Sequence, residues 1–138
     1  MAGKPKIGFV CLKDGAVEPK QEGSVLRISA LERTRIWKNA PNDVRTGISI
    51  KIPVGYVGLV HGEVELYKGV VITTKRIEPG CSDEIILIAN NIGNEDDVYL
   101  NSGDKIAGIM LQKSEEFDVE KTANHGSGPS GGGGGTDR

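Results

Sequence analysis

The chain is poor in the residues that most often declare a function. Its 138 residues include two cysteines, two histidines and one tryptophan. Cys11 and Cys81 form no CxxC pair, and a metal site needs more Cys and His ligands than these. Two distant thiols read most simply as free, in a reducing compartment, although sequence alone leaves a bridge open. Aromatics are 4% of the chain, so stacking platforms for bases are scarce. Lys and Arg number 17 against 19 Asp and Glu, a formal net charge of −2. Without a basic surplus, nucleic acid is not an expected partner. The start, MAGKPKIGFVCLKDG, has too short an apolar run for a signal peptide or a membrane span. These exclusions lead to the expectation of a soluble cytoplasmic protein without a membrane partner, made inside a host cell if its source is viral.

A sustained helical period is also missing. In its place are many short β-type segments: IGFVCL (Ile7 to Leu12, closed by Asp14-Gly15), VLRIS (Val25 to Ser29), RIW (Arg35 to Trp37), YVGLV, VELYKGVVIT and VYL. GISIKIP is the clearest strand, because Ile48, Ile50 and Ile52 alternate with Ser49 and Lys51 before Pro53 and Gly55 turn the chain. EIILIA (Glu84 to Ala89) is a continuous apolar run too short for a helix, and it reads as a buried strand. LERTRIWKN is the one stretch that reads as a helical turn. Short strands with regular turns predict an all-β sandwich or barrel. The length fits one domain that buries roughly two-thirds of its unfolded surface. From Ser114 the strand pattern stops, and the tail from Gly126 to Arg138 is Gly-rich and of low complexity. The expected division is a β domain over residues 1–113, then a connector and flexible tail over 114–138.

Three features occur in order: RTGISIKIPVGYVGLV (Arg45 to Val60), NSGDKIAGIML (Asn101 to Leu111), and a Gly-rich tail behind a short acidic connector. Together they resemble the dUTPase family, which includes the related dCTP deaminases. The strand pattern Thr-Gly, alternating apolar residues, then Pro-x-Gly-Tyr-x-Gly is matched by Thr46, Gly47, Ile48, Ile50, Ile52, Pro53, Gly55, Tyr56 and Gly58. The pattern Gly-Asp-Arg-Ile-Ala-Gln is matched by Gly103, Asp104, Lys105, Ile106 and Ala107, with Gly108 at the Gln position. The resemblance covers Arg45 to Lys113 well and the first third poorly. It implies a homotrimer of a dUTPase-like β-clip, or distorted barrel, with sites at the subunit interfaces.

Cleaving a nucleoside triphosphate needs a carboxylate to activate water, donors or Mg²⁺ to neutralise phosphate oxygens, and a pocket for the base. The resemblance puts Glu78, in KRIEPGCSDE, at the family's water-activating Asp, and Cys81 at the Tyr that packs under deoxyribose. The plainer reading of Glu78 is a solvated turn residue. HGEVE stands where the family carries a phosphate-binding Arg-Ser pair; Glu63 and Glu65 add negative charge, and His61 and Gly62 keep the capacity to donate hydrogen bonds. His61 also reads as an ordinary strand-end histidine. Val25 takes the place of the Asp in the family's first motif. Gly103, Asp104 and Lys105 are candidate ligand-binding residues, or simply the turn that enters a strand. Gly126, Ser127 and Gly128 would supply N–H groups for an anion nest in the tail, which has no aromatic residue. No residue set is predicted to hold a metal; Mg²⁺ is expected only with nucleotide hydrolysis.

The departures lead to the expectation of a dUTPase-like scaffold that has lost ordinary dUTP hydrolysis. It would bind a nucleotide or a protein partner at interface clefts, as a viral or phage protein. One alternative is an active, divergent dUTP diphosphatase with Glu78 as base. The other is an interaction trimer without a ligand.

Overall fold

The computed structural model describes residues 3–63, 69–96 and 98–124. Among them are twelve strands and no helix, so the fold is all-β, and no helix among the described residues is long and apolar enough to cross a membrane. The largest sheet runs β2 (Lys20–Glu22), β3 (Val25–Ser29), β12 (Lys105–Lys113), β7 (Tyr56–Gly62) and β9 (Lys75–Ile77), each antiparallel to its neighbour. A second sheet places β10 (Ile86–Asn91) between β5 (Asn42–Arg45) and β8 (Val70–Ile72). Two ribbons complete the set: β1 (Gly8–Cys11) with β6 (Ile48–Lys51), and β4 (Thr34–Ile36) with β11 (Val98–Leu100).

Isoleucine and valine from all four sheets fill one core, including Ile28, Ile36, Val44, Ile48, Ile50, Val60, Ile106 and Ile109. Branched side chains keep few rotamers on a pleated surface, so they pack there at a small entropic cost. Ser49 is buried beside Ile48 and Ile50, so β6 is covered on both faces rather than half exposed.

Three expectations change. LERTRIWKN holds β4 and no helical turn. Thr34 and Ile36 alternate around Arg35, whose guanidinium stacks 3.5 Å from the Trp37 ring centroid. Strand pairing sets Arg35 opposite Tyr99, and Arg33 covers that ring at 4.1 Å. EIILIA is buried on one face only: Leu87 and Ala89 point into the core, whereas Ile86 and Ile88 are 36% and 41% exposed. The run VELYKGVVIT, expected to extend through Thr73, is β8, which ends at Ile72; residues 64–68 lie outside the described part. The short strands β2, β5 and β9 carry too many polar residues to show in a β-propensity reading.

One carboxylate joins these sheets. Glu84 accepts Arg45 Nε at 3.2 Å, Arg45 Nη2 at 2.9 Å and the Gly47 N–H at 2.9 Å. The buried Thr46 hydroxyl donates to the Ile85 carbonyl at 2.7 Å, and the Ile85 N–H donates to Ile48 at 2.8 Å. The bidentate hydrogen bonds from Arg45 hold the Glu84 carboxyl below its ordinary value of 4.5. A group whose folded pKa is depressed stabilises the fold above its unfolded pKa and loses that contribution as pH falls through the folded value. Glu84→Gln is therefore expected to lower unfolding free energy at pH 7 by roughly 1–3 kcal/mol. In denaturant titrations the gap from wild type should narrow below pH 4.5. A gap that stays constant down to acid unfolding would contradict this.

Candidate functional site

The centre of the five-stranded sheet brings three positions into one row. Gly108 on β12 pairs with Arg27 on β3 and with His61 on β7. Directly paired residues point to the same face of a sheet, so Arg27 and His61 flank a position without a side chain. A Cβ added at Gly108 would lie 2.6 Å from Val25 Cγ1, 3.1 Å from His61 Cε1 and 3.2 Å from Arg27 Nη1. The neighbours have closed over the glycine. His61 Nε2 is buried there and has no hydrogen-bond partner among the described residues.

Ion pairs close the same face. Arg27 Nε donates to Glu22 Oε1 at 3.0 Å, and Arg27 Nη1 meets the Glu63 carboxylate. Lys105 Nζ donates to the second oxygen of Glu22 at 2.9 Å. These bonds, Lys105 first and Arg27 second, lower the pKa of Glu22. Two cations therefore face two carboxylates in a formally neutral cluster of half-buried groups.

The other expected residues have distinct surroundings. Gly103 sits at φ +87°, in the left-handed region that favours glycine, in the turn entering β12. Its N–H donates to Ala30 at 2.8 Å, while Asp104 Oδ2 accepts the Asn101 N–H at 2.7 Å. This turn fastens β12 to the end of β3. Gly62 is a packing glycine: a Cβ there would stand 2.6 Å from Ile72 Cβ. Glu78 is exposed and paired with Arg76 at 2.8 Å. It begins a tight turn in which the Cys81 N–H donates to its carbonyl at 3.3 Å, with Gly80 at φ +89°. Pro then Gly at the two central positions suits a type II turn. Cys81 is partly buried against the core, and both cysteines are unbridged. The β7–β9 register sets Ile77 opposite Gly58, which puts Glu78 beside Val57. His61 is four residues further along β7, a separation of roughly 13 Å. The row and Glu78 are therefore apart within one chain. Gly126, Ser127 and Gly128 lie outside the described residues.

A sequence model of the dUTPase family matches residues 16–136. The chain belongs to the dUTPase family. Among its relatives, the deoxyuridine 5′-triphosphate nucleotidohydrolase of Corynebacterium jeikeium is 38% identical over 85 residues, covering 56% of this chain and 53% of that protein. The Mycobacterium marinum enzyme of the same name is 29% identical over 85 residues, covering 59% of this chain and 55% of its own length. The chain thus matches about half the length of these curated relatives. A mutant dUTPase from phage phi11 of S. aureus, solved to show how a structural Mg(II) ion is coordinated, superposes with a TM-score of 0.75. That likeness, at 17% identity, covers 88% of this chain and 99% of the phage protein, and it establishes the dUTPase fold.

Val25, Glu63 and Gly108, three positions that the sequence resemblance set against altered family motifs, lie together on this face. No group of three His, Cys, Asp or Glu able to hold a metal ion occurs among the described residues. These side chains do not fit a protein-built Mg²⁺ site. Arg27 and Glu22 escaped the sequence reading. Arg27 was visible only as a charge between Leu26 and Ile28, and its place beside Gly108 depends on the β3–β12 register.

Restoring the family residue tests this closure. Gly108→Gln is expected to destabilise the fold by roughly 1–3 kcal/mol through overpacking. Adding Val25→Ala removes the Cγ1 that the new Cβ would meet at 2.6 Å and should recover about half of the loss. Urea unfolding of both single variants and the double variant checks it, and purely additive losses would exclude this coupling.

Proposed function

We propose that the chain is a divergent dUTP diphosphatase, hydrolysing a deoxynucleoside triphosphate at clefts completed by neighbouring subunits of a homotrimer. Glu78 is the carboxylate that takes a proton from the attacking water. Family membership and relatives named as deoxyuridine 5′-triphosphate nucleotidohydrolases support this reaction. The observation that carries it is the exposed Glu78 carboxylate on a tight turn, a residue that the sequence resemblance sets against the family's base. The separation of Glu78 from the His61 row fits a cleft shared between subunits. So does the half-exposed apolar face of Ile86, Ile88 and Val71. Mg²⁺ enters as the nucleotide's own phosphate-bound ion. Residues 114–138 act as a connector and arm, with Gly126, Ser127 and Gly128 offering N–H groups to phosphate. Gly103, Asp104 and Lys105 border the nucleotide side. Free thiols at Cys11 and Cys81 suit an intracellular setting, in a host cell if the source is viral or phage.

A second reading keeps the scaffold without turnover, as a binder of a nucleotide or a protein partner. The comparisons lend no support to loss of activity. This reading is favoured by one observation: Glu63 and Glu22 engage Arg27 where a triphosphate would need cations.

A panel of deoxynucleoside triphosphates with Mg²⁺ separates the two. The hydrolase reading expects pyrophosphate release from at least one of them, reduced roughly 100-fold or more by Glu78→Gln. Melting shifts with a nucleotide but no turnover would replace it with the binding reading. Flat melting and no turnover with every nucleotide would leave neither nucleotide reading standing.

A further inference from the structure

Arg27 resembles an anion-binding fork whose occupants belong to the chain itself. Its Nε holds Glu22 and its Nη1 holds Glu63. A planar guanidinium offers paired N–H donors that suit carboxylate and phosphoryl oxygens alike. The two carboxylates differ in how firmly they are tied. Glu22 is also bonded by Lys105 at 2.9 Å. Glu63 is fixed through its backbone, whose N–H donates to Ile106 at 3.0 Å, and among the described residues its carboxylate pairs with Arg27. Beside this pair, Gly108 contributes no side chain, and His61 Nε2 has no partner among the described residues.

We infer that Arg27 is an oxyanion-binding residue of this chain and that Glu63 is its tethered competitor. A polyphosphate group enters by displacing the Glu63 carboxylate from Nη1, while Glu22, doubly held, stays in place. Glu63 thereby sets how strongly the face takes phosphate. This rests on the reading of the face as the nucleotide side of the cleft, and it adds a specificity-determining pair to it.

Inorganic tripolyphosphate titrated calorimetrically into the full chain at fixed low salt is the test. Glu63→Gln should bind roughly tenfold tighter than wild type, the effect of one charge-assisted hydrogen bond that no longer competes. Glu63→Gln combined with Arg27→Gln should lose that gain. Glu95→Gln, which removes the same charge in the loop after β10, outside the five-stranded sheet, should stay within about twofold of wild type. Melting curves confirm that each variant is folded. A folded Glu63→Gln protein that binds no tighter than wild type overturns the inference. So does a gain that survives in the double variant or is matched by Glu95→Gln. The proposed hydrolysis is scored separately. A Glu63→Gln gain without nucleotide turnover sustains the inference and overturns the hydrolase reading. Turnover without that gain does the reverse.

Discussion

The carboxylate of Glu84 is the point on which the rest of the structure depends. The chain leaves one sheet at Arg45 and enters a ribbon of another at Ile48. A crossing between sheets must satisfy its backbone polar groups without ladder partners. Glu84 and Ile85 do this by taking Arg45, the Gly47 N–H and the Thr46 hydroxyl. Downstream, β6 leads through Pro53 into β7, so the placement of His61 and Gly62 follows from this crossing. The Thr-Gly pair that marks the family in sequence is a joint between sheets. Its retention says that the scaffold is kept, and it leaves open what the cleft does.

On the site face, the changes are mutually dependent. The glycine at position 108 leaves room that Val25, His61 and Arg27 share. Val25 contributes no charge, so a cation beside it needs partners elsewhere, and Glu22 and Glu63 supply them. A half-buried arginine without a carboxylate would lose solvation and gain nothing in return. The substitutions therefore read as one adjusted cluster rather than independent losses. This matters for function, because a neutral cluster attracts a triphosphate less than an open arginine does, yet it still contains the donors that could bind one.

Legibility in the sequence followed the range of the interaction. GISIKIP and the Asn101–Asp104 turn were readable because alternation and turn chemistry are local. EIILIA was readable as a strand, but its apolar character concealed that Ile86 and Ile88 face outward, since a run of one residue type has no phase. LERTRIWKN misled because charges spaced around Ile36 imitate a helical face, whereas pairing with β11 and guanidinium stacking decide the matter. Arg27 was least visible. Its importance lies in a cross-strand neighbour 81 positions away, and pairing register is a tertiary property.

The position of Glu78 links oligomerisation to chemistry under the proposed reading. The strand β7 carries His61 near one end and runs beside Glu78 near the other, and it is too stiff to bring them together. A base that acts on a nucleotide held at the His61 row must then come from another copy of the chain. The apolar face left open by Ile86 and Ile88 would supply the contact energy, since burying such side chains is favourable at roughly 25 cal/mol per Å². A change at that face would alter catalysis without touching any group in the cleft, and dilution below the dissociation constant of the assembly would act in the same way. Under the proposed reading, the geometry of one strand thus ties catalysis to assembly.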